Sequence, residues 1–82
     1  MVKVKLFAGF REQVKKSQIE IKIEGEATLS KFVDLLIEEY PELGKLFDNG
    51  NAIIAVNREV ADENTKVKDE DEVAIFPPVS GG

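Results

Sequence analysis

Eighty-two residues, 43% hydrophobic and 33% charged, describe one small globular domain with no room for a second core. The chain has no cysteine and no histidine, which removes thiolate and imidazole chemistry, disulfides and the usual zinc sites together. A formal net charge of −5 argues against a nucleic-acid surface and for a protein partner with a basic or apolar face.

The N-terminal MVKVKLFAGF alternates like a strand and lacks the apolar run of a signal peptide. No stretch approaches the roughly 20 apolar residues that span a bilayer, so no membrane and a cytoplasmic location are expected. Over residues 2 to 8, Val2, Val4, Leu6 and Ala8 share one face, and Lys3, Lys5 and Phe7 the other. Phe7 is the odd member of the lysine face. Residues 18 to 24 repeat the pattern with Ile19, Ile21 and Ile23 inward. The intervening GFREQVKKS reads as a loose hairpin connection between antiparallel strands.

Gly25 closes the second strand, and Thr28 is a candidate N-cap. Leu29, Phe32, Val33, Leu36, Ile37 and Tyr40 then follow helical spacing, and Pro41 stops the helix near Tyr40. PELGKLF predicts a short second helix, and DNGN at 48 to 51 a turn. AIIAVN predicts a third strand with Ile54 and Val56 inward, and Asn57 and Arg58 a tight turn into a short strand near Val60. Val67 anchors the next loop. Lys68 to Glu72 forms a charged turn, and Glu72 to Pro77 the last strand, with Val73 and Ile75 inward.

This order, with one main helix on one face of a mixed sheet of about five strands, belongs to the α+β class and fits the β-grasp arrangement. In that arrangement the first and last strands lie parallel in mid-sheet. Residues 1–78 form the domain and residues 79–82 a flexible Gly-Gly tail. Strand parity turns Phe76 outward, near Phe7 if those two strands are neighbours. Two exposed phenylalanines together indicate a surface meant to be covered; the alternative is that Phe7 packs under the loop at 9 to 17. The acidic run Asp69 to Glu72 lacks the spacing and central glycine of a calcium loop, and reads as a solvated turn. No metal or cofactor ligands stand out. No phosphate-binding glycine loop is present either, so ATP is not expected to bind this chain alone.

The remaining candidate for chemistry is the end of the sequence. Pro77 and Pro78 stiffen the departure from the sheet, and Val79, Ser80, Gly81 and Gly82 extend beyond it. Glycines fit a narrow channel. An α-carboxylate on Gly82 is ionised at neutral pH and can attack the α-phosphate of ATP held by an activating enzyme. Gly-Gly alone is weak evidence, since frayed termini often carry it.

The ending FPPVSGG after DEDEVAI, with VKLFA, Arg11, Glu12 and the AVN of 55 to 57 in the same order, resembles the MoaD family. Its members are the small, sulfur-carrying subunits of molybdopterin synthase. The resemblance covers essentially the whole chain. It implies that Gly82 is adenylated by a MoeB-like enzyme using ATP, converted to a thiocarboxylate, and donates sulfur to a pterin precursor. It further implies docking of the tail into a MoaE-like large subunit, with a heterotetramer expected and the catalytic side chains on that partner. Gly81, Ser80 and Val79 would occupy the channel. Phe7, Val60, Phe76, Pro77 and Pro78 would form or flank the interface. A ThiS-like carrier for thiamine biosynthesis and a protein modifier forming isopeptides through Gly82 are the alternatives. Arg58 departs from the glycine expected in its turn.

Overall fold

The computed structural model describes residues 1–48 and 52–77. Its main sheet has five strands in the order β2-β1-β7-β4-β5. These are β1 (Val2–Leu6), β2 (Gln18–Ile21), β4 (Ile53–Val56), β5 (Glu59–Val60) and β7 (Glu72–Phe76). The strands β3 (Glu26–Thr28) and β6 (Lys66–Lys68) form a separate antiparallel pair. The helices are α1 (Ala8–Val14), α2 (Leu29–Glu39) and α3 (Gly44–Asp48), the last entered through a 3-10 turn at Pro41–Leu43.

The expected inward residues build the core. Val2, Val4 and Leu6 of β1, Ile19 and Ile21 of β2, and Val73 and Ile75 of β7 are all buried. They meet Leu29, Phe32 and Leu36, the apolar stripe of α2. Ile54 pairs with Ile75 and Val56 with Val73, which fixes these two β4 residues on the core face. The parallel pair is β1 with β7, from Lys3 opposite Glu72 to Leu6 opposite Ile75.

The start of α2 shows why the helix begins where it does. Its first N–H groups have no partner within the helix. Leu29 N–H donates to the Thr65 carbonyl at 2.7 Å and Ser30 N–H to the Glu63 carbonyl at 3.1 Å. Lys31 N–H donates to Thr28 Oγ1 at 3.2 Å, making Thr28 the N-cap as its sequence position implied. At the other end, Tyr40 N–H reaches the Leu36 carbonyl before Pro41 ends the run.

Two local expectations are corrected. The segment at 9 to 17 is not an open connection: α1 occupies most of it and buries Phe10, whose ring lies 5.3 Å from that of Phe47 at a 54° tilt. Ala8 consequently starts that helix on the surface, and does not extend the core face of the first strand. The second difference is the β3–β6 pair, which seats Val67, fully buried, against α2. The short second helix, the turn at Asn57–Arg58 and the strand at Val60 appear where expected. The turn expected at 48 to 51 falls mostly outside the described residues, as does the boundary drawn between 78 and 79.

Candidate functional site

The sheet's second face, away from α2, carries the site. Register places Lys5 beside Ala74, Ala74 beside Ala55, and Ala55 beside Val60, one row running across four strands. The next row pairs Phe76 with Ile53. Because β1 and β7 are parallel neighbours, Phe7 leaves β1 at the same level, and the two rings stack with centroids 4.5 Å apart at 11°. Stacking of this kind contributes beyond area burial, yet the pair stays open to solvent: Phe7 is 37% and Phe76 36% exposed, and Val60 is 80% exposed. These three apolar groups ring a groove of about 410 Å³ floored by the two alanines.

Sequence reasoning named Phe7, Val60 and Phe76, and the fold brings all three together. Phe7 does not pack beneath residues 9 to 17; that position in the core belongs to Phe10. Pro77 is half-buried at the end of β7. Pro78, Val79, Ser80, Gly81 and Gly82 lie outside the described residues. The alanine floor was not anticipated. Its signal was present in strand parity, since Ala74 shares the outward parity of Phe76, and Ala55 is out of phase with Ile54 and Val56.

Three charges stand at the groove: Lys5, Glu72 and Arg58. Lys5 Nζ lies 3.3 Å from Glu72 Oε1. Arg58 follows Asn57 in a turn where both have positive φ, 50° and 72°. Asn57 is bound at both ends of its amide: Nδ2 donates to Asp71 at 3.1 Å, and Oδ1 accepts from Glu72 N–H at 3.0 Å. Asp71 Oδ2 also accepts from Lys68 N–H at 2.8 Å. The Met1 ammonium contacts the Asp69 carboxylate. That hydrogen bond holds the ammonium above, and the carboxyl below, its ordinary pKa. So the acidic turn spends these carboxylates on closing the end of the sheet. Among the described residues no group of three or more acidic side chains is placed to hold a metal ion, and no helix is long and apolar enough to cross a membrane.

A mixed sheet with parallel central strands, one main helix across it, and an apolar patch beside the end of the last strand defines a ubiquitin-like β-grasp protein. The ThiS family model matches residues 4–82, and the chain belongs to that family, whose members are sulfur carriers of the ThiS and MoaD type. It is 33% identical to a molybdopterin synthase sulfur carrier subunit of Arabidopsis thaliana over 99% of this chain and 82% of that one. It is 34% identical to small archaeal modifier protein 1 of Haloferax volcanii, over 95% and 97% of the two chains. The crystal structure of that modifier superposes with a TM-score of 0.83 at 32% identity, covering 99% and 98%. A second similar structure is the complex of subunits 1 and 2 of the molybdopterin-converting factor of Helicobacter pylori. It has a TM-score of 0.65 at 29% identity, with coverage of 99% and 97%.

Proposed function

We propose that this protein carries sulfur on Gly82 for molybdopterin biosynthesis and supplies no catalytic side chain of its own. The carboxylate oxygen of Gly82 attacks the α-phosphorus of ATP on a MoeB-like enzyme, and pyrophosphate leaves. A sulfur nucleophile then displaces AMP from the acyl-adenylate, giving the thiocarboxylate. The loaded tail enters a MoaE-like large subunit, within a heterotetramer, and passes sulfur to a pterin precursor. Phe7, Val60 and Phe76 dock on the partner, Pro77, Pro78 and Val79 direct the tail, and Ser80 and Gly81 line its path into the channel. These steps take place in the cytoplasm.

The observation that carries this reading is the solvent-open stack of Phe7 on Phe76, beside the point where the chain leaves its last strand. With no thiol or imidazole in the chain, this reading puts the reactivity on a terminal carboxylate presented to another protein. The Arabidopsis relative and the Helicobacter complex support the molybdopterin pathway. The Haloferax relative favours a second reading, isopeptide transfer of Gly82 to a target lysine. The family match also favours a ThiS-like carrier.

Intact-mass spectrometry after incubation with the adenylating enzyme, ATP and a sulfur donor tests the proposal. The expected result is a mass gain of one oxygen exchanged for one sulfur. A variant lacking Gly82 should unfold at the same temperature and gain nothing. An unchanged mass with an active enzyme overturns carriage of sulfur. High-mass conjugates in cells instead mark the modifier, and sulfur accepted by a thiazole-forming partner but not by a MoaE-like subunit marks the thiamine carrier.

A further inference from the structure

We infer that Arg58 is a docking residue whose guanidinium pairs with a carboxylate on the partner protein. That carboxylate lies beside an apolar partner side chain resting on Ala55 and Ala74. The inference rests on the reading above, in which this face receives the protein that takes up the tail.

Of the three charges at the groove, Lys5 and Glu72 already face each other at 3.3 Å. Arg58 has no ion pair among the described residues, and it is exposed. Its backbone is held at φ +72°, a region that a side chain with a Cβ enters at a cost and glycine enters freely. Asn57, the preceding residue of the same turn, repays its own φ of +50° with two hydrogen bonds that tie the turn to Asp71 and Glu72. The Arg58 side chain makes no hydrogen bond within the described residues that would do the same. A strained position occupied by a cation with no ion pair among the described residues points to a role outside the folded domain.

The surroundings define the complement. Lys5 and Glu72 neutralise each other, so Arg58 leaves this groove locally positive on a chain whose net charge is −5. The alanine floor leaves space for one bulky apolar side chain between the phenylalanine stack and Val60. Arginine suits such a place because its guanidinium is weakly hydrated, planar and able to grip a carboxylate with two parallel hydrogen bonds. The partner surface that fits therefore presents an apolar side chain with an Asp or Glu next to it.

Binding of a purified MoaE-like large subunit from the same organism tests this, with thermal unfolding measured on every variant. Arg58→Gly should raise the unfolding midpoint by about 4 °C and yet bind roughly three- to tenfold more weakly. Gain of stability with loss of affinity is a combination that a purely structural residue does not give. Arg58→Glu should weaken binding by more than about tenfold, and Arg58→Lys should fall between the unaltered protein and Arg58→Gly, since it keeps the charge and loses the two-bond grip. The affinity of the unaltered protein should fall more steeply with salt than that of Arg58→Gly. If both Arg58→Gly and Arg58→Glu bind undiminished while Phe76→Ala binds at least about tenfold more weakly, the inference falls and the docking face stands. A lower unfolding temperature for Arg58→Gly also overturns it. If the unaltered protein does not bind, or Phe76→Ala binds undiminished, the inference and the docking reading fall together.

Discussion

Two phenylalanines separate the structural from the presented parts of this molecule. Phe10 is 2% exposed and contacts Phe47, whereas Phe76 is 36% exposed and contacts Phe7. Phe10→Ala should cost about 3–5 kcal/mol, a large share of what so small a domain possesses. Phe76→Ala should cost less than about 1.5 kcal/mol, because it gives up a stacking contact without opening a core cavity. Denaturant unfolding of both variants checks the contrast, and equal losses would deny Phe76 its surface role. The stack itself was legible in the sequence, since both phenylalanines break the alternation of their strands. Arg58 was legible only as a misfit in its turn. Nothing local could tell that Arg58 lines one groove with Ala74 and the two phenylalanines, because those reach the same face only through the pairing of β7 with β1 and β4.

At the level of elements, legibility followed the length of the periodic signal. Five apolar positions of α2 and its C-cap Tyr40 repeat at helical spacing, and Thr28 and Pro41 bracket them, so both helix ends could be placed. In α1 the signal shrinks to Phe10 and Val14, one turn apart, too brief to distinguish from a loop. Helices this short draw their stability from packing, here against the 3-10 turn at Pro41–Leu43. The β3–β6 pair is three residues on each side, and its members become strands only because they find each other. Its loop also supplies the carbonyls that receive the first two N–H groups of α2. The cap is therefore shared between Thr28 and a distant segment. Thr28→Ala should lower stability by about 1 kcal/mol, read from denaturant unfolding at unchanged m-value. A loss above about 3 kcal/mol would mean that the distant carbonyls depend on the Thr28 hydroxyl.

For the whole molecule, the decisive feature is that the centre of the sheet is made from its two distant strands. β7 lies between β1 and β4 and holds Val73 and Ile75 in the core. A chain ending at Asp71 should show no cooperative thermal transition, whereas one lacking only Gly82 should melt like the full chain. Circular dichroism on the two truncations reads this directly, and a cooperative melt in the shorter one would remove β7 from the nucleus of the fold.

The parallel register that sets Lys3 against Glu72 has a consequence for synthesis. Closing that pair joins segments nearly a chain length apart, and contacts of such separation form late and slowly. A growing polypeptide on the ribosome cannot complete this sheet until β7 has emerged. The groove floored by Ala55 and Ala74 is thereby completed only once β7 is in place, so a product stopped before that strand has no such groove.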